Sequence, residues 1–276
     1  MLYNTLLVLS ALAATATASG KKTYHEHSVL RCDNSNREQL DFLHELEEDS
    51  TLGLDIWQEA RQVGAPVDIM VPKSSLPMLA KMLSQKGIKC SGMISNVQDA
   101  IDVSTKKSSS LRGDEASYFE EYHDWESVHA YVDGLAEEFP TLATTSTIGS
   151  TYFDRPQKII TISTDPSAGK PALWFDGGLH AREWVTVTTV TYLADTLLRG
   201  YNTTDGADAT YLLDTYDVII CPILNVDGYD QTWTDDRMWR KTMSPNQGSP
   251  CDGTDPNRNW AFHWGEAGTS TQKCSD

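Results

Sequence analysis

The stretch Asp176-Gly177-Gly178-Leu179-His180-Ala181-Arg182-Glu183-Trp184 sets an imidazole and a carboxylate three residues apart, where an apolar run ends in a glycine turn and a helix begins. At that spacing His180 and Glu183 can converge on one zinc ion, and catalysis would need a third ligand and an open position for water. The spacing alone also suits a surface histidine beside a glutamate favoured by the helix macrodipole. Two further segments follow in order: Asn225-Val226-Asp227-Gly228-Tyr229 with Arg237-Met238-Trp239-Arg240-Lys241, then Asp255-Pro256-Asn257-Arg258-Asn259-Trp260. Taken singly, each arginine also suits a solvated ion pair. Other reactive side chains carry less. Cys221 lies inside an apolar run and reads as a buried, inert thiol. His263, between Phe262 and Trp264, reads as structural or surface-exposed, and His25 and His27 lack partners at a ligand spacing.

The elements that must position these residues can be traced by periodicity. His27 to Arg31, Val67 to Val71 and Ile88 to Ile94 read as strands. Asn36 to Glu48, with Leu40, Leu43 and Leu46 on one side, and Leu76 to Gln85, closed by Gly87, read as helices. Together they form a small α+β unit. Val103 to Gly113 is nearly devoid of apolar residues and carries Lys106, Lys107 and Arg112, the composition of an exposed linker open to a trypsin-like protease. Beyond it, Trp125 to Phe139 reads as a helix stopped by Pro140, and Lys158 to Ser163 as a strand. Glu183 to Arg199 reads as a helix with Val190, Leu193, Ala194, Leu197 and Leu198 on one face. Pro171 to Asp176 and Tyr216 to Leu224 are near-continuous apolar runs, as in strands covered by helices on both faces. The second unit is therefore α/β.

The 276 residues carry 22 Lys+Arg against 39 Asp+Glu, a net charge of −17, with no basic stripe, which argues against nucleic acid as a partner. At roughly 150 residues per domain the length allows about two domains. Leu6 to Ala14 is too short to span a bilayer. It reads as the core of a signal peptide, residues 1–18, ending in the cleavage pattern Ala16-Thr17-Ala18 although no Lys or Arg precedes it. Export makes disulfides permissible, and Cys32, Cys90, Cys221, Cys251 and Cys274 allow at most two. The sequon Asn202-Thr203-Thr204 fits the same compartment.

In order and content these motifs resemble those of the zinc carboxypeptidases of the pancreatic A/B type, from about Tyr24 to Asp276. Val226 is a departure, because the family usually has proline there. Residues 19–102 are similar to that family's activation segment, including Leu54-Asp55-Ile56-Trp57, Pro66-Val67-Asp68 and Val71-Pro72. The resemblance implies a ferredoxin-like activation segment, a cleavable linker over 103–112 and, over 113–276, the N-terminal part of a mixed-sheet α/β catalytic domain. It implies a secreted zymogen whose activating protease cuts at Lys106, Lys107 or Arg112.

Residue by residue, the resemblance makes His180 and Glu183 zinc ligands. Arg240 would polarise the scissile carbonyl and stabilise its oxyanion. Asn257 and Arg258 would grip the substrate's terminal carboxylate, for which a guanidinium offers bidentate geometry, and Arg182 would serve an outer subsite. Cys251 to Cys274 would be one disulfide and Cys32 to Cys90 the other, since the first and last strands of a ferredoxin-like sheet are antiparallel neighbours. The family's domain continues past the last residue of this sequence. That continuation would bring a third, histidine ligand, a mobile tyrosine, the glutamate general base, the specificity residue and a strand to pair with Pro171 to Asp176. The chain by itself is therefore expected to be inactive, to bind zinc weakly and to expose an apolar edge. The alternative is a short noncatalytic secreted protein that binds a peptidase or a peptide C-terminus.

Overall fold

The computed structural model describes residues 20–49, 51–59, 61–106, 118–262, 264–265 and 274. The expected signal peptide, Lys107, Arg112 and His263 lie outside the described residues.

The N-terminal unit runs β1 (His27–Asp33), α1 (Arg37–Glu48), β2 (Asp55–Gln58), β3 (Val67–Pro72), α2 (Leu76–Gln85), β4 (Lys89–Ile94) and α3 (Val97–Ser104). Its sheet order is β2-β3-β1-β4 with antiparallel neighbours throughout, the ferredoxin-like arrangement. Period-2 alternation explains both faces of β3. Val67, Ile69 and Val71 join Leu40, Leu43, Leu79 and Leu83 under α1 and α2. Met70 faces the other way, with Tyr24, Val29, Val97 and Ile101. Arg31 and Asp68 are cross-strand partners, joined by an ion pair of 2.6 Å. Cys32 and Cys90 are likewise opposite each other in the register and disulfide-bonded.

Two departures from the expected elements concern this unit. β2 is too short and mixed for a periodicity signal. α3 covers Val103 and Ser104, so the chain stays helical two residues into the expected linker. Asn96 caps its start, and the Ser104 and Thr105 hydroxyls fold back onto the Ile101 carbonyl.

The second unit runs α4 (Trp125–Glu138), β5 (Ala143–Ser150), β6 (Pro156–Ile162), β7 (Ala172–Asp176), α5 (Trp184–Gly200), α6 (Ala207–Thr215), β8 (Asp217–Cys221) and α7 (Val226–Thr234). The order is β5-β6-β8-β7, antiparallel except for β7 with β8. Ile160, Ile162, Val218 and Ile220 pack against Val132, Leu135, Val190, Ala194, Leu197 and Leu213 from α4, α5 and α6. Helical cover on both faces of β7 does not hold among the described residues. This strand pairs on one side only, and Trp174 and Phe175 are 47% and 37% exposed. β8 also stops at Cys221, where Pro222 follows, short of the Leu224 that the apolar run suggested. Cys251 is bonded to Cys274, and Cys221 is a buried free thiol pushed up to about 12 by burial.

On α4, His129 is 5% exposed and its Nε2 has no hydrogen-bond partner among the described residues. Burial, aided by the Lys158 ammonium, lowers its pKa from 6.5 to about 4. A histidine held neutral in the fold contributes stability above the unfolded value, lost as pH falls through the folded one. Between pH 6.5 and pH 4, His129 should therefore remove about 3 kcal/mol of stability. Urea unfolding of the wild type and His129→Gln across that window checks this: the variant's curve should be flatter, and equal pH slopes would refute the assignment.

Candidate metal and carboxylate-binding site

β7 and β8 deliver the site at their C-terminal ends, where an α/β sheet usually presents its ligands. The ladder continues past both strands: Gly177 N donates to Cys221 O, Leu224 N to Gly177 O and Asn225 N to Gly178 O, at 2.9–3.1 Å. Gly178 adopts φ +60°, a conformation glycine reaches without strain, and this turn carries the chain into His180. Glu183 holds the N-cap position of α5 but makes no side-chain cap bond, which leaves its carboxylate for the site.

His180 is 6% exposed, with Nδ1 at 2.9 Å from Glu183 Oε1 and Nε2 at 3.1 Å from Asp255 Oδ1. Arg240 donates from Nε and Nη2 to Asp255 Oδ2 at 3.1 and 2.9 Å, and its Nη1 lies 3.8 Å from Glu183 Oε1. Asp255 thus bridges the imidazole and the guanidinium, and it also accepts the Asn257 backbone N–H at 2.7 Å. Burial raises its pKa, but His180 and Arg240 outweigh this and hold the carboxyl well below the usual range. Burial pulls His180 down, yet the Asp255 and Glu183 carboxylates leave it above its ordinary value, and Glu183 is lowered by His180 and Arg240 against its own desolvation.

Backbone contacts fasten the three segments together. Ala181 N donates to Arg240 O at 3.0 Å, and Asn225, which caps α7 by accepting from Gly228 N, donates from Nδ2 to Lys241 O at 2.9 Å. Gly228 is required there, because a Cβ would sit 2.5 Å from Lys241 O.

The other expected residues are placed differently. Arg182 is tied to Asp55 of β2 by two bonds, at 2.6 and 3.1 Å, and Arg258 pairs with Glu59 just after β2. Both guanidiniums are therefore engaged by carboxylates of the N-terminal unit. Asn257 is exposed.

Sequence reasoning missed Asp255, Asp55 and Glu59 as members of the site. Asp255 sat inside a quoted motif, and its signal would have been that a ligating imidazole needs a hydrogen-bond acceptor on its other nitrogen. Arg237 has no role that the resemblance implies. It lies 3.7 Å over the Trp184 ring and donates to Arg182 O, its Nε has no partner among the described residues, and burial lowers its guanidinium to about 10. A cavity of about 400 Å³, lined by Thr151, Gln157, Leu224, Asn225, Thr254 and Trp260 among others, adjoins the site without including His180 or Glu183.

Among the described residues no three His, Cys, Asp or Glu side chains are grouped to hold a metal. The donor chemistry at His180 nevertheless fits a zinc site in part: with Nε2–H given to Asp255, Nδ1 and the neighbouring Glu183 oxygen present one nitrogen and one oxygen ligand.

Comparison with known proteins decides the family. Residues 128–276 match the zinc carboxypeptidase domain and residues 30–104 the carboxypeptidase activation peptide. The chain belongs to the zinc carboxypeptidase family. Rat carboxypeptidase A1 is 35% identical over 98% of the chain and rat carboxypeptidase A2 37% over 93%, and the chain spans 64% and 61% of their lengths. Among solved structures, thrombin activatable fibrinolysis inhibitor aligns with a TM-score of 0.77 at 31% identity, covering 91% of this chain and 63% of that one. Carboxypeptidase A from Helicoverpa armigera aligns with a TM-score of 0.77 at 32% identity, covering 91% of this chain and 61% of its own. This member of the family thus carries both an activation-peptide match and a catalytic-domain match in one chain.

Removing the Asp255 bridge should be costly. Asp255→Ala leaves Arg240, with 13% of its side chain exposed, facing Glu183 at 3.8 Å as its one remaining carboxylate among the described residues. Urea denaturation should register a loss of about 3 kcal/mol, and a loss below about 1 kcal/mol would show that Glu183 takes over the pairing.

Proposed function

We propose that the chain is the activation segment and the N-terminal catalytic part of a secreted, zinc-dependent carboxypeptidase zymogen acting on the C-termini of peptides and proteins. The observation that carries this reading is the pairing of Arg182 with Asp55 and of Arg258 with Glu59. Two guanidiniums suited to a substrate's carboxylate are occupied by carboxylates of a unit that matches an activation peptide.

In this reading residues 1–18 are the leader, residues 19–102 the segment and residues 113–276 the catalytic part. The linker follows Ser104, with Lys106 exposed at its start and Lys107 and Arg112 beyond. No helix among the described residues is long and apolar enough to cross a membrane. Asn202, the sequon residue, lies in an exposed turn after α5.

Once the segment is gone, Arg258 binds the terminal carboxylate in fork geometry and Asn257 adds an amide donor. Arg182 contacts the chain further from its terminus. Arg240, held by Asp255, points its free N–H groups at the scissile carbonyl oxygen, where negative charge develops. His180 and Glu183 would hold zinc, which when bound acts as a Lewis acid and lowers the pKa of water. Asp255 keeps the His180 proton on Nε2, so that Nδ1 remains a ligand.

The test uses N-blocked dipeptide turnover and zinc content, measured after trypsin treatment on the product of the complete reading frame and on the chain ending at Asp276. The longer product should release C-terminal residues and retain one zinc through dialysis, whereas the 276-residue chain should do neither. Absence of turnover from the longer product would overturn the enzymatic reading in favour of a noncatalytic binder.

Loss of either ligand should be visible without turnover. In the longer product, His180→Ala should lower zinc affinity at least tenfold, since removing a ligand exceeds the effect of removing its second-shell partner. Competition with a chromogenic chelator measures it.

A further inference from the structure

Ahead of β1, residues 21–24 form an extended strap that lies on the turn after α7. Lys22 N donates to Asp235 O at 2.8 Å, and Lys22 Nζ pairs with Asp236 Oδ2 at 2.8 Å. The Tyr24 hydroxyl donates to Asp236 Oδ1 at 2.5 Å, and Lys21 Nζ reaches Trp233 O at 2.9 Å. Tyr24 and Asp236 are 2% and 7% exposed, so the phenol–carboxylate bond is shielded from water. Asp236 is fixed from its own side: its N–H donates to Gln231 O, its carbonyl accepts from Trp239 N and Oδ1 accepts from Met238 N. Met238 packs into the apolar cluster of Tyr24, Val29, Met70, Val97 and Ile101.

The polarity here is the reverse of that at the covered site. Arg182 and Arg258 are cations of the catalytic part that meet carboxylates of the segment, whereas at this turn the catalytic part supplies the carboxylate and the segment the cation and the phenol. None of these bonds involves His180, Glu183, Arg240 or Arg258. It also joins the two parts at the end of the segment farthest in sequence from the linker. Neither disulfide crosses between the parts, so after linker cleavage only noncovalent contacts hold them together.

We propose that the Asp235–Asp236 turn is a docking site for the basic-aromatic strap Lys22-x-Tyr24, and that this contact keeps the cleaved activation segment bound. The inference rests on the reading of residues 19–102 as a removable segment. It assigns the strap a separate role: the linker cut makes release possible, and the strap governs how fast release occurs. Hydrogen bonds to a buried charge are worth more than neutral ones, and losses at an interface appear mainly in the off-rate.

The test inserts a site for a sequence-specific protease between Ser109 and Ser110 of the full chain, so that Lys21 and Lys22 are not cut. After cleavage, size-exclusion chromatography and surface capture measure whether the segment stays and how fast it leaves. The wild-type segment should co-elute; Tyr24→Phe and Asp236→Asn should each raise the off-rate about tenfold to a hundredfold, and Lys22→Gln, whose ammonium is half exposed, about twofold to fivefold. Tyr24→Phe removes one oxygen from a buried ring and keeps the reading intact should Asp236→Asn fail to fold. Immediate loss of the wild-type segment, or unchanged off-rates in Tyr24→Phe and Lys22→Gln, would overturn the docking site. Asp55→Asn and phenylglyoxal labelling of Arg182 in the uncut chain report on the site-covering reading separately. Rapid labelling of wild-type Arg182 would sink that reading whatever the strap does.

Discussion

The site depends on one buried carboxylate. Asp255 is nearly inaccessible to solvent, and its two oxygens are divided between an imidazole and a guanidinium that come from different parts of the chain. A charge in that position is costly unless it is paired and hydrogen-bonded, and here it meets a cation, a ring nitrogen and a backbone N–H. The constraint runs both ways. His180 is held in one ring orientation because Asp255 accepts from it, and Arg240 is aimed because Asp255 takes two of its donors. The turn after β7, the start of α5 and the irregular chain from 240 to 258 are therefore mutually positioned through one carboxylate.

Much of the fold could be read from the sequence where packing follows periodicity. The leucines at 40, 43 and 46 line the buried side of α1, and Val190, Ala194, Leu197 and Leu198 that of α5, because a stripe at helical spacing has one face to bury. Elements whose apolar pattern is weak escaped notice. β5 is Ala-Thr-Thr-Ser-Thr-Ile-Gly-Ser and sits at a sheet edge, and α7 begins with Val-Asp-Gly and owes its start to Asn225 capping Gly228 N. Helices on both faces of β7, which the continuous apolar run suggests, are not found among the described residues. Such a run tells which side chains avoid water when they can, not whether the sheet continues beyond them.

The site was legible as residue types and less so as geometry. His180, Glu183 and Arg240 converge, as their motifs suggested, but the grouping of Arg182 with Asp55 and of Arg258 with Glu59 depends on tertiary contacts across 127 and 199 residues. No local pattern encodes such pairs. Each half of the pair looks like an ordinary surface charge until the two units are docked, and opposite charges on facing surfaces then fix register as much as affinity.

The disulfide between Cys32 and Cys90 spans 58 residues, nearly the whole of the first sheet from β1 to β4. In the chain-entropy picture a loop of that size takes about 4 kcal/mol away from the unfolded ensemble. Net stabilities of single domains are only about 5–15 kcal/mol, so that amount is a large share of what holds the unit folded. Once parted from the rest of the chain, the N-terminal unit would be more stable in an oxidising medium than in a reducing one by about that amount. The redox state of its surroundings thus enters the stability of the separated unit, independently of the ion pairs that once held it in place.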